Sequence, residues 1–320
     1  MNSFGNKFKI TLFGESHGNM VGVVIDGAPA GIPLKEEDLM TDLNRRRSGA
    51  KGTTPRKEDD TPVIQSGVYN GFTTGAPICI SFLNNNTISK DYNSLANTPR
   101  PGHADFAVAS KYKNFNDPRG GGHTSGRLTL GIVAAGVVAK KIISPIDINS
   151  QILSIGGANP WEEILDQAIR EGDSLGGLIE CRGTNMPVGL GEPFFNSMES
   201  MISHIVFSVP ATKGIEFGDG FKAASMKGSE HNDPIVSVEG KTAKNSNGGI
   251  NGGVSNGNDL IFRVAVKPTS SISKPQQSIN LQSGKVEEFK IEGRHDSCIA
   301  LRIPVIIEAA AAIAIADLLI

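Results

Sequence analysis

The chain has 320 residues, 38% of them hydrophobic, and a formal net charge of −2. That balance gives no bulk attraction to nucleic acid or to an anionic membrane surface, and neither partner is expected. Three widely spaced cysteines, Cys79, Cys181 and Cys298, form neither a disulfide framework nor a zinc pattern. Cys79 and Cys181 lie in apolar strand-like runs, as buried thiols of a reducing compartment do. The opening MNSFGNKFKI has no apolar signal-peptide core, and Glu308 and Asp317 interrupt an apolar tail too short for a span of about 20 residues. A cytoplasmic enzyme is the expectation.

Alternation of Phe8, Ile10 and Leu12 with polar residues predicts a strand, and Val21, Val23 and Ile25 predict a second after the loop Gly14-Glu15-Ser16-His17-Gly18. From Pro33 to Arg47 the pattern is helical, with an inner face of Leu34, Leu39, Met40 and Leu43 and a basic last turn before Gly49. Short strands broken by Gly67, Gly71 and Gly75 fill Val63 to Leu83. A polar loop follows from Asn84 to Pro101, then a short helix within Ala104 to Phe115. The breaker Asp117-Pro118-Arg119-Gly120-Gly121-Gly122-His123 precedes a helix from about Gly126 to Ile143, capped by Thr124 or Ser125 and rich in small residues. Further on, Trp161 to Arg170 reads as helix and Gly177 to Arg182 as strand, while Met198 to Ser208 is open between the two. Asn245 to Asn258 is a low-complexity loop. Ile261 to Val266 is a strand, and an Ala/Ile helix closes the chain from Pro304. No linker divides the sequence, so a single α+β domain over residues 1–320 is expected. One weak echo, Val23 to Gly31 against Leu178 to Gly189, fits chance more simply than a duplication.

Glycine is abundant, at 38 residues or about 12% against a usual ~7%, and it clusters locally instead of recurring with a period. That favours tight turns and close approach of backbone to ligand. Three loop segments concentrate titratable groups: GESHG from Gly14, RPGHAD from Arg100 and RHDSC from Arg294. Loops on a rigid scaffold are where chemistry is usually displayed, and three such segments suggest one composite site. The basic stretch Arg45, Arg46, Arg47, Lys51, Arg56, Lys57 in a nearly neutral chain suits a small anion, or is simply a solvated charge run. Gly120 to Arg127 has the form of an anion cradle at a helix N-terminus, though it is neither a Walker loop nor a dinucleotide fingerprint. A positive Arg127 in the first turn opposes the helix dipole and calls for an anionic partner. Arg294-His295-Asp296 is open between a site and a buried Arg–Asp pair. Lys267-Pro268-Thr269-Ser270-Ser271 after a strand suits a phosphate or a flavin edge. The Ser16-His17 pair lacks the strand–helix setting of a serine hydrolase elbow.

Taken together, these segments resemble chorismate synthase over nearly the whole chain. They are GESHGNMVGVVIDGAP from Gly14, RRRSGAKGTTPRKED from Arg45, SGVYNGFTTGAPI from Ser66, RPGHAD from Arg100, RGGGHTSGRLT from Arg119, KGIEFGDGF from Lys213, GGINGGVSNG from Gly248, KPTSS from Lys267 and RHDSC from Arg294. The resemblance implies a β–α–β sandwich with a helical layer between antiparallel sheets, assembled as a homotetramer. It implies a lyase that eliminates phosphate from 5-enolpyruvylshikimate 3-phosphate in an anti-1,4 sense to give chorismate, with reduced FMN required and no net redox change. It places His17 near the leaving phosphate, His103 at the reduced flavin and Asp296 near flavin N5 for removal of the C6 proton. Substrate contacts fall on Ser16, Arg46, Lys51, Arg100, Arg127 and Arg294. FMN contacts fall on His123, Thr124, Ser125, Pro210, Ala211, Gly252, Lys267, Pro268, Thr269, Ser270, Ser271 and Arg294, and the Asn/Gly-rich run would fold over flavin. No metal is implied. His123 stands where many relatives have arginine, Pro210 where asparagine is common, and the loop after Arg47 is one residue short. Reduction of the flavin by an external reductase or by NADPH in the same fold is left open. Two readings from other classes remain: a flavin oxidoreductase that consumes NAD(P)H, and a non-catalytic flavin- or anion-binding module.

Overall fold

The computed structural model describes residues 1–54, 59–84, 98–291 and 295–320. In chain order the elements are β1 (Ser3–Phe4), β2 (Lys9–Gly14), β3 (Met20–Asp26), α1 (Glu36–Arg46), β4 (Val63–Ser66), β5 (Val68–Tyr69), β6 (Phe72–Thr73), β7 (Ile78–Leu83), α2 (Asp105–Lys111), α3 (Thr129–Ile143), β8 (Asp147–Ile155) and α4 (Glu162–Glu171). Then come β9 (Gly177–Thr184), α5 (Met198–Ser208), β10 (Thr212–Phe217), α6 (Gly228–His231), β11 (Ile250–Asn251), β12 (Val254–Ser255), β13 (Leu260–Val266), β14 (Gln276–Ile279), β15 (Val286–Phe289) and α7 (Pro304–Leu319).

The alternation in the first strands does what period two requires: Val21, Val23 and Ile25 are buried, and Leu12 and Ile80 stand on either side of Val23 in the antiparallel ladder. Strands β1-β2-β3-β7-β4 form one antiparallel sheet and β10-β13-β9-β8 another. Helices α1, α3, α5 and α7 lie between them, with α3 against the first sheet, α7 against the second and the two helices packed on each other. Small residues make this middle layer thin: a Cβ at Gly136 would stand 2.3 Å from that of Ala309, and one at Gly131 would stand 2.7 Å from Leu12 on the sheet. The expected α+β sandwich is the fold observed.

Both sheets follow one plan. In each half the first and second strands are neighbours, a helix follows the second, the fourth strand inserts between the second and third, and a long helix follows the fourth. β2, β3, α1, β4, β7 and α3 thus correspond to β8, β9, α5, β10, β13 and α7. The weak sequence echo falls on β3 and β9, which are equivalent strands, so the topology favours duplication over chance.

Local departures have local causes. α1 starts at Glu36 and not at Pro33, because Pro33 bridges to Phe72 and Leu34 donates to the Gly71 carbonyl before Asp38 caps Lys35 N–H at 3.0 Å. A 3₁₀ turn over Gly126–Leu128 precedes α3, and Ser125 Oγ accepts from Arg127 N–H at 3.3 Å. Met198–Ser208 is helix, capped by Ser197. The Asn/Gly-rich run holds the β11–β12 hairpin.

The two acids in the apolar α7 tie the layers together. Asp317 accepts from the backbone N–H groups of Asn6, Lys7 and Phe8. Glu308, 1% exposed, accepts twice from Arg45 at 2.7 Å, and also from Lys140 and from the N–H and hydroxyl of Ser150. Burial opposes its charge, but the bonds from Arg45 and Ser150 and the Lys140 ammonium hold its carboxyl below the usual range. Stability from a lowered carboxyl is present above the unfolded value, near pH 4.3, and fades as pH falls through the folded value. Glu308→Ala leaves Arg45 and Lys140 without this partner and is expected to cost about 3–5 kcal/mol at pH 7 in denaturant unfolding, with the deficit shrinking below about pH 4.

Candidate active site

The helix ends of both halves converge on one cleft. Arg46 ends α1, Arg127 sits in the turn before α3, Thr129 begins α3, Arg302 and Ile303 precede α7, and Pro210 follows α5. A first lobe of about 730 Å³ is lined by Ser16, Arg46, Arg127, Thr269, Asp296 and Arg302, among others. A second, of about 770 Å³, adjoins it across shared residues that include Gly120, Ser125, Gly126, Thr129, Pro210 and Thr269.

The first lobe is a cationic surface held by buried acids. Successive positions on a helix turn about 100°, so Arg45, Arg46 and Arg47 part company: Arg45 runs to Glu308, Arg46 into the cleft and Arg47 to the Asp59 carbonyl. Arg46 is 3% exposed, its Nε donating to Thr129 Oγ1 and its Nη2 to Gly126 O, each at 2.8 Å. Asp60 lies between Arg46 Nη1 at 3.6 Å and Arg127 Nη1 at 2.9 Å, which supplies the anion that Arg127 required. Arg302 donates to the Arg46 carbonyl at 2.9 Å and to Asp296 at 3.3 Å, and Asp296 accepts Thr54 N–H at 2.8 Å. Burial, with Arg302 and Arg127 nearby, pushes the Arg46 guanidinium down to about 9. It is still charged at neutral pH, in a site where an incoming anion relieves the crowding of cations.

His17 sits in the β2–β3 loop, which Ser16 N–H ties to the Gly122 carbonyl at 3.1 Å. It is 6% exposed and packs on Gly120, where a Cβ would stand 2.4 Å from the imidazole. Gly120 also has φ +59, so glycine is required there on both counts.

His103 lines the second lobe with Lys213, Lys267 and the apolar Ile10, Leu12, Ile132, Ile205 and Val209. His123 Nδ1 stands 2.8 Å from the Gly14 carbonyl, and Thr124 donates to the Gly121 carbonyl. Lys267 donates to Gly102 O and, at 2.8 Å, to Ser270. Partial burial, and Lys213 nearby, pull its ammonium below the usual value. The buried hydroxyls of Thr212 and Thr269 have no hydrogen-bond partner among the described residues. Apolar walls, rim ammonium groups and unspent hydroxyls fit a flat, amphipathic ring system with an anionic tail.

Of the residues singled out by the resemblance, Ser16, Arg46, Arg127 and Asp296 line the first lobe and His17 backs it. His123, Thr124, Ser125, Pro210, Ala211 and Lys267 through Ser271 line the second. Three lie elsewhere. Lys51 is 67% exposed and pairs with Asp166 on α4. Arg100 is engaged by Asp105 and Ser271 beside a third cavity of about 490 Å³. Gly252 is exposed at the turn of the β11–β12 hairpin, outside both lobes. Arg294 falls outside the described residues. Sequence reasoning passed over Asp60 and Arg302; the last acid of a charge run and a lone arginine before an apolar helix carry no motif signal.

Asp60→Ala leaves Arg46 and Arg127 without their shared acid and is expected to destabilise the chain by about 3–5 kcal/mol, read by urea unfolding. Wild-type stability in that variant would remove Asp60 as the anchor of the lobe.

The comparisons agree with this architecture. A profile of the chorismate synthase family matches residues 8–320. The chorismate synthase of Chitinophaga pinensis is 61% identical over 318 residues, covering 99% of this chain and 96% of that protein. That of Dehalococcoides mccartyi is 46% identical over 349 residues, covering 99% and 96%. A solved structure described as "Crystal Structure of Chorismate Synthase" superposes with a TM-score of 0.76 at 27% identity, covering 98% of this chain and 92% of that one. The chain belongs to the chorismate synthase family.

Proposed function

We propose that the two-lobed cleft carries out the family's reaction, the 1,4-elimination of phosphate from 5-enolpyruvylshikimate 3-phosphate to chorismate. The observation that carries the reading is the joining of an arginine-lined lobe, with an acid at its wall and the His17 imidazole behind Gly120, to an amphipathic lobe across shared residues. The substrate bears a phosphate and two carboxylates. Arg46, Arg127 and Arg302 would bind these oxygens, and bidentate guanidinium–oxyanion pairs fix orientation as well as charge. Arg46 Nη1, 3.6 Å from Asp60, stands beyond hydrogen-bonding distance and keeps protons for an incoming oxygen.

His17 and Asp296 divide the proton work. As the C3–O bond breaks, charge gathers on the departing phosphate, and His17 donates a proton or neutralises it. Asp296, held by Thr54 N–H and Arg302, accepts the C6 proton. The C6–H is not acidic, so a carboxylate alone is a weak base for it. Reduced FMN in the second lobe would supply electron density to the breaking C–O bond and be unchanged overall. Residues 123–125, 210–211 and 267–271 would hold it, and His103 would keep a proton at that lobe.

We further infer one domain, since the cleft takes residues from both halves, in a cytoplasmic protein. A homotetramer would cover the exposed Phe194, Phe195 and Phe221; light scattering should give the mass of four chains, and a monomer mass would overturn this. Flavin reduction is assigned to an external reductant, with NADPH bound in the same fold as the alternative.

The test is an anaerobic assay with 5-enolpyruvylshikimate 3-phosphate and chemically reduced FMN. Equal chorismate and phosphate, with flavin still reduced, is the expected result; consumption of NAD(P)H in step with turnover would favour an oxidoreductase. Asp296→Asn should retain FMN and substrate binding and lose turnover by roughly a hundredfold or more. Near-normal turnover removes Asp296 from the mechanism.

A further inference from the structure

We propose that Asp105 is the positioning residue of His103: it fixes the ring with its proton on Nδ1, so that Nε2 is the atom that exchanges a proton with the second lobe. The proposal rests on the reading of that lobe as the flavin site and extends it to a residue outside the cleft. Asp105 opens α2, two residues after His103, and its carboxylate stands 2.6 Å from His103 Nδ1. The same carboxylate takes a two-pronged guanidinium: Arg100 Nε donates to Oδ2 at 2.7 Å and Arg100 Nη2 to Oδ1 at 2.8 Å. Arg100 N–H adds a third bond to Oδ2, at 3.1 Å.

The position of the proton follows from this geometry. Arg100 Nη2 is also 3.0 Å from His103 Nδ1, so two neighbours claim one ring nitrogen. A guanidinium can only donate, which would need a lone pair at Nδ1; an ionised carboxylate can only accept, which needs a proton there. An acceptor facing an acceptor at 2.6 Å would be repulsive. Arg100 Nη2 carries two protons and gives one to Asp105 Oδ1 at 2.8 Å; at Nδ1 the carboxylate is the nearer neighbour, at 2.6 Å against 3.0 Å for Nη2. The 2.6 Å approach of the carboxylate therefore assigns the proton to Nδ1. Burial disfavours the Asp105 anion, but the bonds from Arg100 and His103 outweigh it and hold the carboxyl well below its usual range.

The remaining ring nitrogen is Nε2, and the ring lines the second lobe. Asp105 does not reach that lobe. It lines the third cavity. Arg100 completes the unit by donating from Nη1 to Ser271 at 3.1 Å, which links it to the 267–271 loop of the second lobe. Arg100 is thereby placed as a support of the histidine, and its donors are directed away from the arginine lobe.

The experiment pairs a spectroscopic readout with a kinetic one. In ¹⁵N-histidine spectra of the full-length protein, with His103 assigned by its loss in His103→Ala, the neutral ring should show Nδ1–H. In Asp105→Asn, whose amide N–H₂ can donate to the ring, the proton should move to Nε2. Turnover in the anaerobic assay should fall by about a hundredfold or more in Asp105→Asn, the scale of losing a positioned acid–base group. In a His103→Ala background the same change should have no further effect, because the acid acts through the ring. An Nε2–H tautomer in the native protein overturns the proposal by itself, whether or not any variant folds. So do equal losses in both backgrounds, which would mark a purely structural role. If the native chain forms no chorismate, the family reading of the cleft fails, while the tautomer measurement still decides the assignment of Asp105.

Discussion

The Asp60 carboxylate sets Arg46 and Arg127 side by side, and the rest of the cleft is arranged around that pair. The three residues come from separate places: the end of α1, the approach to β4 and the turn before α3. Two guanidiniums would not share a buried corner without an anion between them. With Asp60 in place, their outward faces and Arg302 form a surface whose cations outnumber its carboxylates. A substrate rich in anionic oxygens supplies the remaining charge, so the site is most relaxed when filled. Asp60 itself has φ 45, a conformation uncommon for a residue with a side chain, which suits a position fixed by its charge partners and not by local propensity.

The duplication explains why so many functional loops meet. In each half the long connection from the fourth strand to the long helix contributes residues of the candidate site. In the first half it holds Arg100, His103, the glycine turn and Ser125; in the second it holds Lys267 through Ser271, Asp296 and Arg302. Two such connections, brought together by packing α3 on α7, enclose a cleft that neither half has alone. Small residues in that packing set its width. A larger side chain at Gly136 would push the helices apart and, with them, the helix starts that carry Arg127 and Arg302. Catalytic geometry is thus coupled to the size of residues buried far from any ligand.

Much of this was legible in the sequence because short-range signals sufficed. Alternation marked β2 and β3, caps and breakers marked α3, and the clustered glycines marked the turn that admits His17. Arg127 even announced a missing anion through its conflict with the helix dipole. The partner, Asp60, was not legible, since its meaning depends on a contact 67 positions away. Lys51 misled for the opposite reason: it lies in a basic run, yet α4 draws it to Asp166. Gly252 belongs to a segment whose hairpin follows from local pairing and whose position relative to the cleft does not. In the same way, the charges in α7 read as interruptions of an apolar helix until their partners, Arg45, Lys140, Ser150 and the N-terminal backbone, were in view.

Arg46 and Arg100 show how one residue type is assigned to different work. Both are almost fully buried, and both have an aspartate near. Asp105 grips Arg100 through two parallel bonds, and Ser271 takes a third donor, so that its charge and its geometry are spent within the protein. Asp60 stands at 3.6 Å from Arg46, near enough to balance charge and too far to bond, while Thr129 and Gly126 O hold the other arms. A guanidinium that is neutralised but not fully bonded keeps donors aimed at the lobe. The distance between acid and base, more than the presence of the pair, separates an arginine that keeps donors for the cleft from one whose donors are spent within the protein.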